Sequence, residues 1–301
     1  MMTQLVNASL FAVAMLGPLA APAMACDGLR AASEAVNRGD EAGARAAASA
    51  EQTKDCSAAE IALTRRVAAL ATFNRVATAV GQGARLDRFE PELAAASKDA
   101  GGPWQVLDAL GDINRERKNY ETAATYYQQA LEDAANEELT PEWMAPDKDY
   151  ILRLDRLASE MRLAAAKPVK LALRGACKFS YRGVSIRKKA TPVRYVFGTA
   201  EFTPEGLQSA KDLFECLKSA KPPAITLIGH TDPVGTAAAN MALSVARAEA
   251  LAKYLVDAGY PGTWTVVGKG EEEPFKPDDA SAYDEEMLYQ LDRRVEVDVE
   301  K

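Results

Sequence analysis

Ala224-Ile225-Thr226-Leu227-Ile228-Gly229-His230-Thr231-Asp232-Pro233-Val234-Gly235 is the stretch on which the fold turns. Ala224 to Gly229 is a short apolar run with the length of a buried strand. Pro233 and Gly235 supply turn chemistry after it. Ala237 to Ala258 then carries a long helical pattern that stops at Gly259, a residue suited to end a helix. Outward from this strand-turn-helix the period keeps alternating. Val193 to Phe197 reads as a strand, and Pro204 to Ser219 as a helix with Leu207, Leu213, Phe214 and Leu217 near one stripe. Trp264 to Val267 reads as a strand, Glu285 to Leu291 as a helix, and Val295 to Val299 as a final alternating strand. Alternation of this kind predicts an α/β layered sheet over 192–301, with right-handed connections between parallel neighbours.

Within this region Asn240 and Arg247 lie seven residues apart, nearly two helical turns, so both share one helix face about 10 Å apart along the axis. Asp232 falls at the strand-to-helix junction. An acid and a base are thus held on adjacent elements, an arrangement that suits a zwitterion: the carboxylate holds an ammonium while the guanidinium forks onto a carboxylate. Backbone amides at the helix start add an anion-friendly edge. The plainer alternative makes Asp232 a turn or cap residue and Arg247 a surface cation, paired with Asp232 itself.

Further residues order themselves around this pair. Phe197-Gly198-Thr199-Ala200-Glu201-Phe202-Thr203-Pro204 stands in front, Leu243-Ser244, Arg247-Ala248 and Leu255 follow on the helix, and Gly268-Lys269-Gly270-Glu271, Pro274 and Arg293-Arg294-Val295-Glu296 close the set. The ordered set resembles the OmpA-like C-terminal domain family over about 110 residues. That resemblance implies a βαβαβαβ layered domain with a mixed sheet that binds peptidoglycan without covalent chemistry. It implies that Asp232 takes the ammonium of the stem peptide's diaminopimelate and Arg247 its carboxylate, with Thr231, Asn240, Leu251 and Arg293 at pocket-lining positions. One of the two final arginines then faces the pocket and the other is structural or solvated. This chain departs from the family at Gly198, where many members carry an aspartate.

The rest of the chain sets the context. Its 301 residues suggest two domains. With 48% apolar residues it can build cores, and a formal charge of −7 disfavours nucleic acid as a partner. Met1 to Ala25 has no charged side chain, a short apolar run at Leu10 to Leu16, and Ala23-Met24-Ala25, which fits a signal-peptide cleavage site. A periplasmic location follows as an expectation, with outer-membrane association open and no transmembrane segment in the mature chain.

The four cysteines, Cys26, Cys56, Cys177 and Cys216, allow three pairings. Asp27 to Val36 and Glu41 to Ala50 read as two helices of an antiparallel hairpin, which would bring Cys26 beside Cys56 and leave Cys177 to Cys216. Lipidation of Cys26, the first mature residue, is the rival reading.

Residues 26–166 are alanine-rich and helical in period. Leu110-Gly111, Tyr120, Ala123, Tyr127 and Ala130 have the spacing of a tetratricopeptide-type hairpin, with a fainter echo at Gly39-Asp40, Gly43, Ala47 and Ala50. Such hairpins often present a groove to a protein or peptide; the alternative is a plain helical spacer. Residues 167–191 read as a linker with short strands, and Arg187-Lys188-Lys189 in it as a solvated cluster, or one that touches anionic envelope polymer.

Catalytic and metal chemistry find no support. His230 is the single histidine, too little for a zinc site with four dispersed cysteines. Ser244 lies in no nucleophile-elbow sequence, and Gly268-Lys269-Gly270 lacks phosphate-loop spacing. The acidic stretch Glu271 to Glu273 reads as a solvated loop. The expected architecture is a two-domain α+β/α/β chain: an all-helical, repeat-like N-terminal domain, then the layered domain, with no enzyme activity and no cofactor.

Overall fold

The structure, a computed structural model, describes residues 26–167, 169, 179–222 and 224–299. The leader reading of residues 1–25 and the Cys177 half of the second disulfide lie outside them. Two compact units make up the chain. One takes the residues up to Ile113 together with Asp133–Pro146, and the other takes Asn114–Glu132 together with Asp147 onward.

The first unit is helical: α1 (Asp27–Asn37), α2 (Glu41–Ala47), α3 (Ala58–Gly81) and α4 (Glu90–Ala100). Local chemistry sets their ends. Asp40 accepts the Gly43 amide at 2.8 Å and starts α2. Ser57 and Glu60 form a capping box at the start of α3. Gly101, at φ 73°, ends α4 in the left-handed region. Leu29, Ala32, Val36, Ala44, Val67, Leu70 and Met144 share one apolar core. The buried Arg66 and Asp133 form an ion pair inside the unit. Burial drives the Asp133 carboxyl up to about 6, against the pull of Arg66.

Cys26 is bonded to Cys56, with Cα atoms 5.1 Å apart. The bond closes a loop over a sequence separation of 30 residues. In the chain-entropy account, reducing it should destabilise this unit by about 2–4 kcal/mol. Urea unfolding with and without reductant measures this; equal midpoints would mean that the bond restricts nothing the fold does not already fix.

The division passes through α5 (Trp104–Glu116) and α6 (Tyr120–Ala134). Tyr120, Ala123, Tyr127 and Ala130, the residues of the hairpin-like spacing, are all buried.

The second unit holds α7 (Lys148–Ala164), a small hairpin of β1 (Ser180–Tyr181) and β2 (Val184–Ser185), and a four-stranded mixed sheet. The sheet's strands are β3 (Lys188–Thr191), β4 (Ala224–Gly229), β5 (Thr263–Gly268) and β6 (Val295–Val299), in the order β3-β6-β4-β5. Only β4 and β5 run parallel; β6 is antiparallel to both β3 and β4. Helix α8 (Pro204–Ala220) precedes β4, α9 (Ala237–Asp257) joins β4 to β5, and α10 (Glu285–Asp292) precedes β6. Alternate residues Ile225 and Leu227 of β4 and Val295 and Val297 of β6 meet Leu213, Leu217, Ala248, Leu251 and Leu255 in one core. No helix among the described residues is long and apolar enough to cross a membrane.

Two expectations are corrected here. The sheet's first strand is not Val193 to Phe197 but Lys188–Thr191. The 193–197 segment makes only an isolated bridge, Tyr195 to Phe202. Gly198, at φ 72°, turns the chain back before a ladder can extend. The Arg187-Lys188-Lys189 run is likewise not a fully solvated cluster, because β3 alternates its faces. Lys189 is turned inward, with its ammonium 3.0 Å from Asp155 of α7.

Candidate binding site

The site is assembled where β4 ends. Gly229 has no room for a side chain: a Cβ there would run into the backbone carbonyl of Ser244. That close approach draws α9 against the strand end. Beyond it the His230 amide donates to the Arg294 carbonyl at 3.0 Å, and the Thr231 amide to the Gly270 carbonyl at 2.9 Å. Asp232 is therefore delivered on backbone tied to two neighbouring segments. Its Oδ1 accepts the Val234 amide at 3.0 Å, the Asx-type turn that Asp-Pro favours. Its Oδ2 accepts Arg293 Nη1 at 2.8 Å. Arg293 in turn reaches Glu286 with Nη2 at 2.6 Å. Carboxylate, guanidinium and carboxylate form a chain from the buried floor outward. Burial weakens the hold of Arg293 on its proton, but its bonds to Asp232 and Glu286 outweigh this and raise it.

Arg247 is fixed from two sides. Its Nε donates to the Thr199 carbonyl at 3.0 Å, and its guanidinium lies 5.3 Å from the centre of the Tyr195 ring. The Tyr195 hydroxyl donates to the Arg247 carbonyl at 2.8 Å. Behind it Tyr195 stacks on Phe202 at 5.1 Å, and Phe202 meets Tyr254 edge-on at 6.0 Å. Burial lowers the pKa of Arg247; Tyr195 and Asp232 offset this in part.

Asp232 and Arg247 are thus both buried, at 5% and 4% exposure, without being bonded to each other. Arg247 and Arg293 line a cavity of about 600 Å³. Tyr195, Phe197 and Val234 line it as well, and so do Tyr289, Gln290 and Leu163. Leu163 comes from α7. Carbonyls at the end of that helix and just beyond it are held here: Gln290 donates to Leu163 at 2.8 Å, and Arg194 donates to Ala166 at 2.7 Å and also to Ala165.

The structure brings four of the six candidate residues to this junction. Asn240 joins Asp232 and Arg247, with Nδ2 3.2 Å from the Asp232 carbonyl and 2.5 Å from Glu271. Arg293 is the fourth. Thr231 is adjacent but 3% exposed, and its hydroxyl has no hydrogen-bond partner among the described residues. Leu251 is fully buried in the apolar core and is not among the residues lining the cavity.

Of the two final arginines, Arg294 turns away to Glu296, 2.9 Å from its Nε. His230 is 1% exposed with Nε2 3.7 Å from Glu296. Burial opposes ionisation of Glu296, yet His230 and Arg294 hold its carboxyl down at about 2. No group of three or more His, Cys, Asp or Glu side chains among the described residues is arranged to hold a metal ion.

Several participants had no sequence signal of their own. Tyr195, Arg194 and Glu286 look like ordinary strand and helix residues, and Leu163 belongs to a distant helix. Glu271 falls in a run that reads as a solvated loop.

Comparison with known proteins adds the following. Residues 194–286 match the model of the OmpA family. The chain is 36% identical over 85 residues to outer membrane protein A of Shimwellia blattae, covering 27% of this chain and 35% of that protein. It is 45% identical over 60 residues to outer membrane protein A of Serratia odorifera, covering 19% of this chain and 25% of that protein. The chain therefore spans about a third or less of these relatives. Among solved structures, the peptidoglycan-associated lipoprotein of Burkholderia pseudomallei aligns with a TM-score of 0.31 at 26% identity, over 38% of this chain and 90% of that one. The periplasmic domain of MotB from Helicobacter pylori aligns with a TM-score of 0.31 at 15% identity, over 38% of this chain and 73% of that one.

Proposed function

We propose, from the match of residues 194–286 to the model of the OmpA family, that this chain grips peptidoglycan non-covalently in the bacterial envelope and that the cavity at Arg247 receives the diaminopimelate of a stem peptide. The observation that carries the reading is a fixed guanidinium and a buried carboxylate that meet at one junction without being bonded to each other. Arg247 is held by Thr199 and Tyr195 with its Nη groups left for a ligand carboxylate. Asp232 is held by Val234 and carries an exchangeable cation, the Arg293 guanidinium. A ligand ammonium takes the place of Arg293 on Asp232, and Glu286 keeps hold of the displaced guanidinium. Asn240 holds the Asp232 carbonyl from behind the cavity, and Thr231 is buried beside it. Leu251 supports the site from the core rather than touching ligand. The chemistry proposed for the site is binding.

The α-helical N-terminal part is then what the grip tethers, in the periplasm after removal of the leader. A groove of about 470 Å³ in the first unit, lined by Arg45, Arg65, Thr72 and Asp99 over a floor of alanines, supports a protein or peptide partner for that part.

The test is co-sedimentation with purified sacculi. Arg247→Ala and Asp232→Ala each remove a charge-assisted contact of roughly 1.5–3 kcal/mol, and are expected to lower the bound fraction by about ten- to a hundredfold in affinity. Circular dichroism checks that the fold survives. Retention of full binding by both variants would sink the assignment.

A further inference from the structure

We infer that Arg293 is a built-in competitor for the ligand's ammonium, and that Glu286 is the positioning residue that receives it when the ammonium wins; this rests on the proposed reading of the cavity and names what sets its selectivity. The starting observation is which charges reach the cavity. Arg194, Arg247, Arg293 and Glu286 line it, whereas Asp232 is not among the lining residues. The group bonded to Asp232 Oδ2 is Arg293 Nη1, at 2.8 Å. The acid that is to hold an ammonium is thus capped by a guanidinium of the protein's own. The wall in front of it carries three cations against one carboxylate. An amine that arrives alone meets a positive wall and a carboxylate already taken. A carboxylate that arrives first finds the guanidinium of Arg247 in place.

The second observation is how unequal the two anchors of Arg293 are. The Asp232 side chain is 7% exposed and that of Glu286 is 77% exposed. Arg293 bridges them with its two terminal nitrogens, the outer contact at 2.6 Å. Breaking the inner bond leaves the guanidinium paired at its outer end, where water also reaches it, so no buried cation is stranded. The backbone has no need to follow. Glu286 lies in the first turn of α10, and the Arg293 amide is tied to the Tyr289 carbonyl of the same helix at 3.0 Å. Only a side chain swings.

Together these set a selectivity. Trading one cation for another on the same carboxylate brings little net gain, and a ligand's affinity falls by the fraction of molecules in which Asp232 is free. An ammonium overcomes this when its own molecule is already held at Arg247, because the second contact is then made at high effective concentration. A head group that carries both charges passes this gate. An amine without the carboxylate does not, and a carboxylate without the amine never reaches Asp232.

The experiment titrates the full disulfide-bonded chain calorimetrically with two tripeptides. One is L-alanyl-γ-D-glutamyl-meso-diaminopimelate. The other carries α-aminopimelate in its place and lacks only the far amino group. Arg293→Gln is expected to tighten the diaminopimelate form about tenfold, the gain from freeing a carboxylate otherwise free in one molecule in ten. The α-aminopimelate form gains nothing. Glu286→Gln weakens the diaminopimelate form about three- to fivefold, the scale of a partly exposed ion pair, and leaves the α-aminopimelate form unchanged. In the Arg293→Gln background the same Glu286→Gln change has no effect, since there is no guanidinium left to receive. If Arg293→Gln fails to tighten the diaminopimelate form, Arg293 is a ligand contact or a bystander; the competitor is overturned and the peptide site stands. Equal tightening of both tripeptides, or a Glu286→Gln loss that persists without Arg293, also overturns it. Binding of neither tripeptide by any of these chains brings down the cavity reading and the competitor with it.

Discussion

Replacing Asp155 with alanine is expected to destabilise the second unit by about 3–5 kcal/mol, the scale for breaking a buried ion pair from one side. Lys189 is 6% exposed, and its ammonium lies 3.0 Å from Asp155 and over the rings of Phe179 and Tyr181, at 5.7 and 5.4 Å. Burial lowers the pKa of this lysine and Asp155 counters it. Without the carboxylate the ammonium loses its closest counter-charge.

The sign of the pH dependence follows. A lysine whose folded pKa falls below its unfolded value disfavours the folded state wherever it must carry its proton. The penalty of Asp155→Ala should therefore grow as pH drops from 10 to 6. Guanidinium unfolding at the two pH values measures it. The double change Asp155→Leu with Lys189→Met should recover most of the loss, because the pair is then absent rather than broken. A loss below about 1 kcal/mol for Asp155→Ala would show the pair to be solvated in solution.

Gly229→Ala is the second large effect. The added methyl meets backbone, the Ser244 carbonyl of α9, not a side chain that can swing aside. Overpacking usually costs about 1–3 kcal/mol, and rigid backbone puts this substitution at or above the upper end. The consequence reaches the site, because α9 carries Asn240 and Arg247 while the end of β4 carries Asp232. Separating the two elements should lower affinity for sacculi more than the stability loss alone explains. Thermal unfolding and sedimentation on the same sample check both; a variant with unchanged melting temperature would mean that helix and strand have slack between them.

What the sequence disclosed followed from local chemistry. The strands β4 and β6 were legible, the first as a short apolar run and the second as an apolar alternation. Helix α9 was legible within one residue because Gly259 ends it. Cys26 and Cys56 were paired correctly from hairpin geometry alone. The strand β3 was not legible, because Lys188-Lys189-Ala190-Thr191 has neither apolar alternation nor β-branched enrichment. Its pairing with β6 is a long-range contact. Lys189 shows the same limit: nothing in a run of cations marks the one that is buried, since its partner lies 34 residues away on α7.

At the site, the carriers of charge were visible as a pattern, but their partners were not. That Asp232 holds Arg293, and Arg247 the Thr199 carbonyl, depends on how separate segments converge at the end of β4. Leu251 has the same helical spacing as the site residues, yet its turn of α9 faces the core.

The clamp on the end of α7 has a mechanical consequence. A pull entering the second unit at Asp147 runs along α7 as along a rod and arrives at the carbonyls held by Arg194 and Gln290. Before it gets there it is shared by Lys189 on Asp155 and by Tyr283 on Glu160, whose bonds lie across the helix and resist sliding together. A load borne in this way is spread over several attachments instead of unzipping them one at a time. On the proposed reading, the end of α7 is then fastened beside the cavity that takes the ligand.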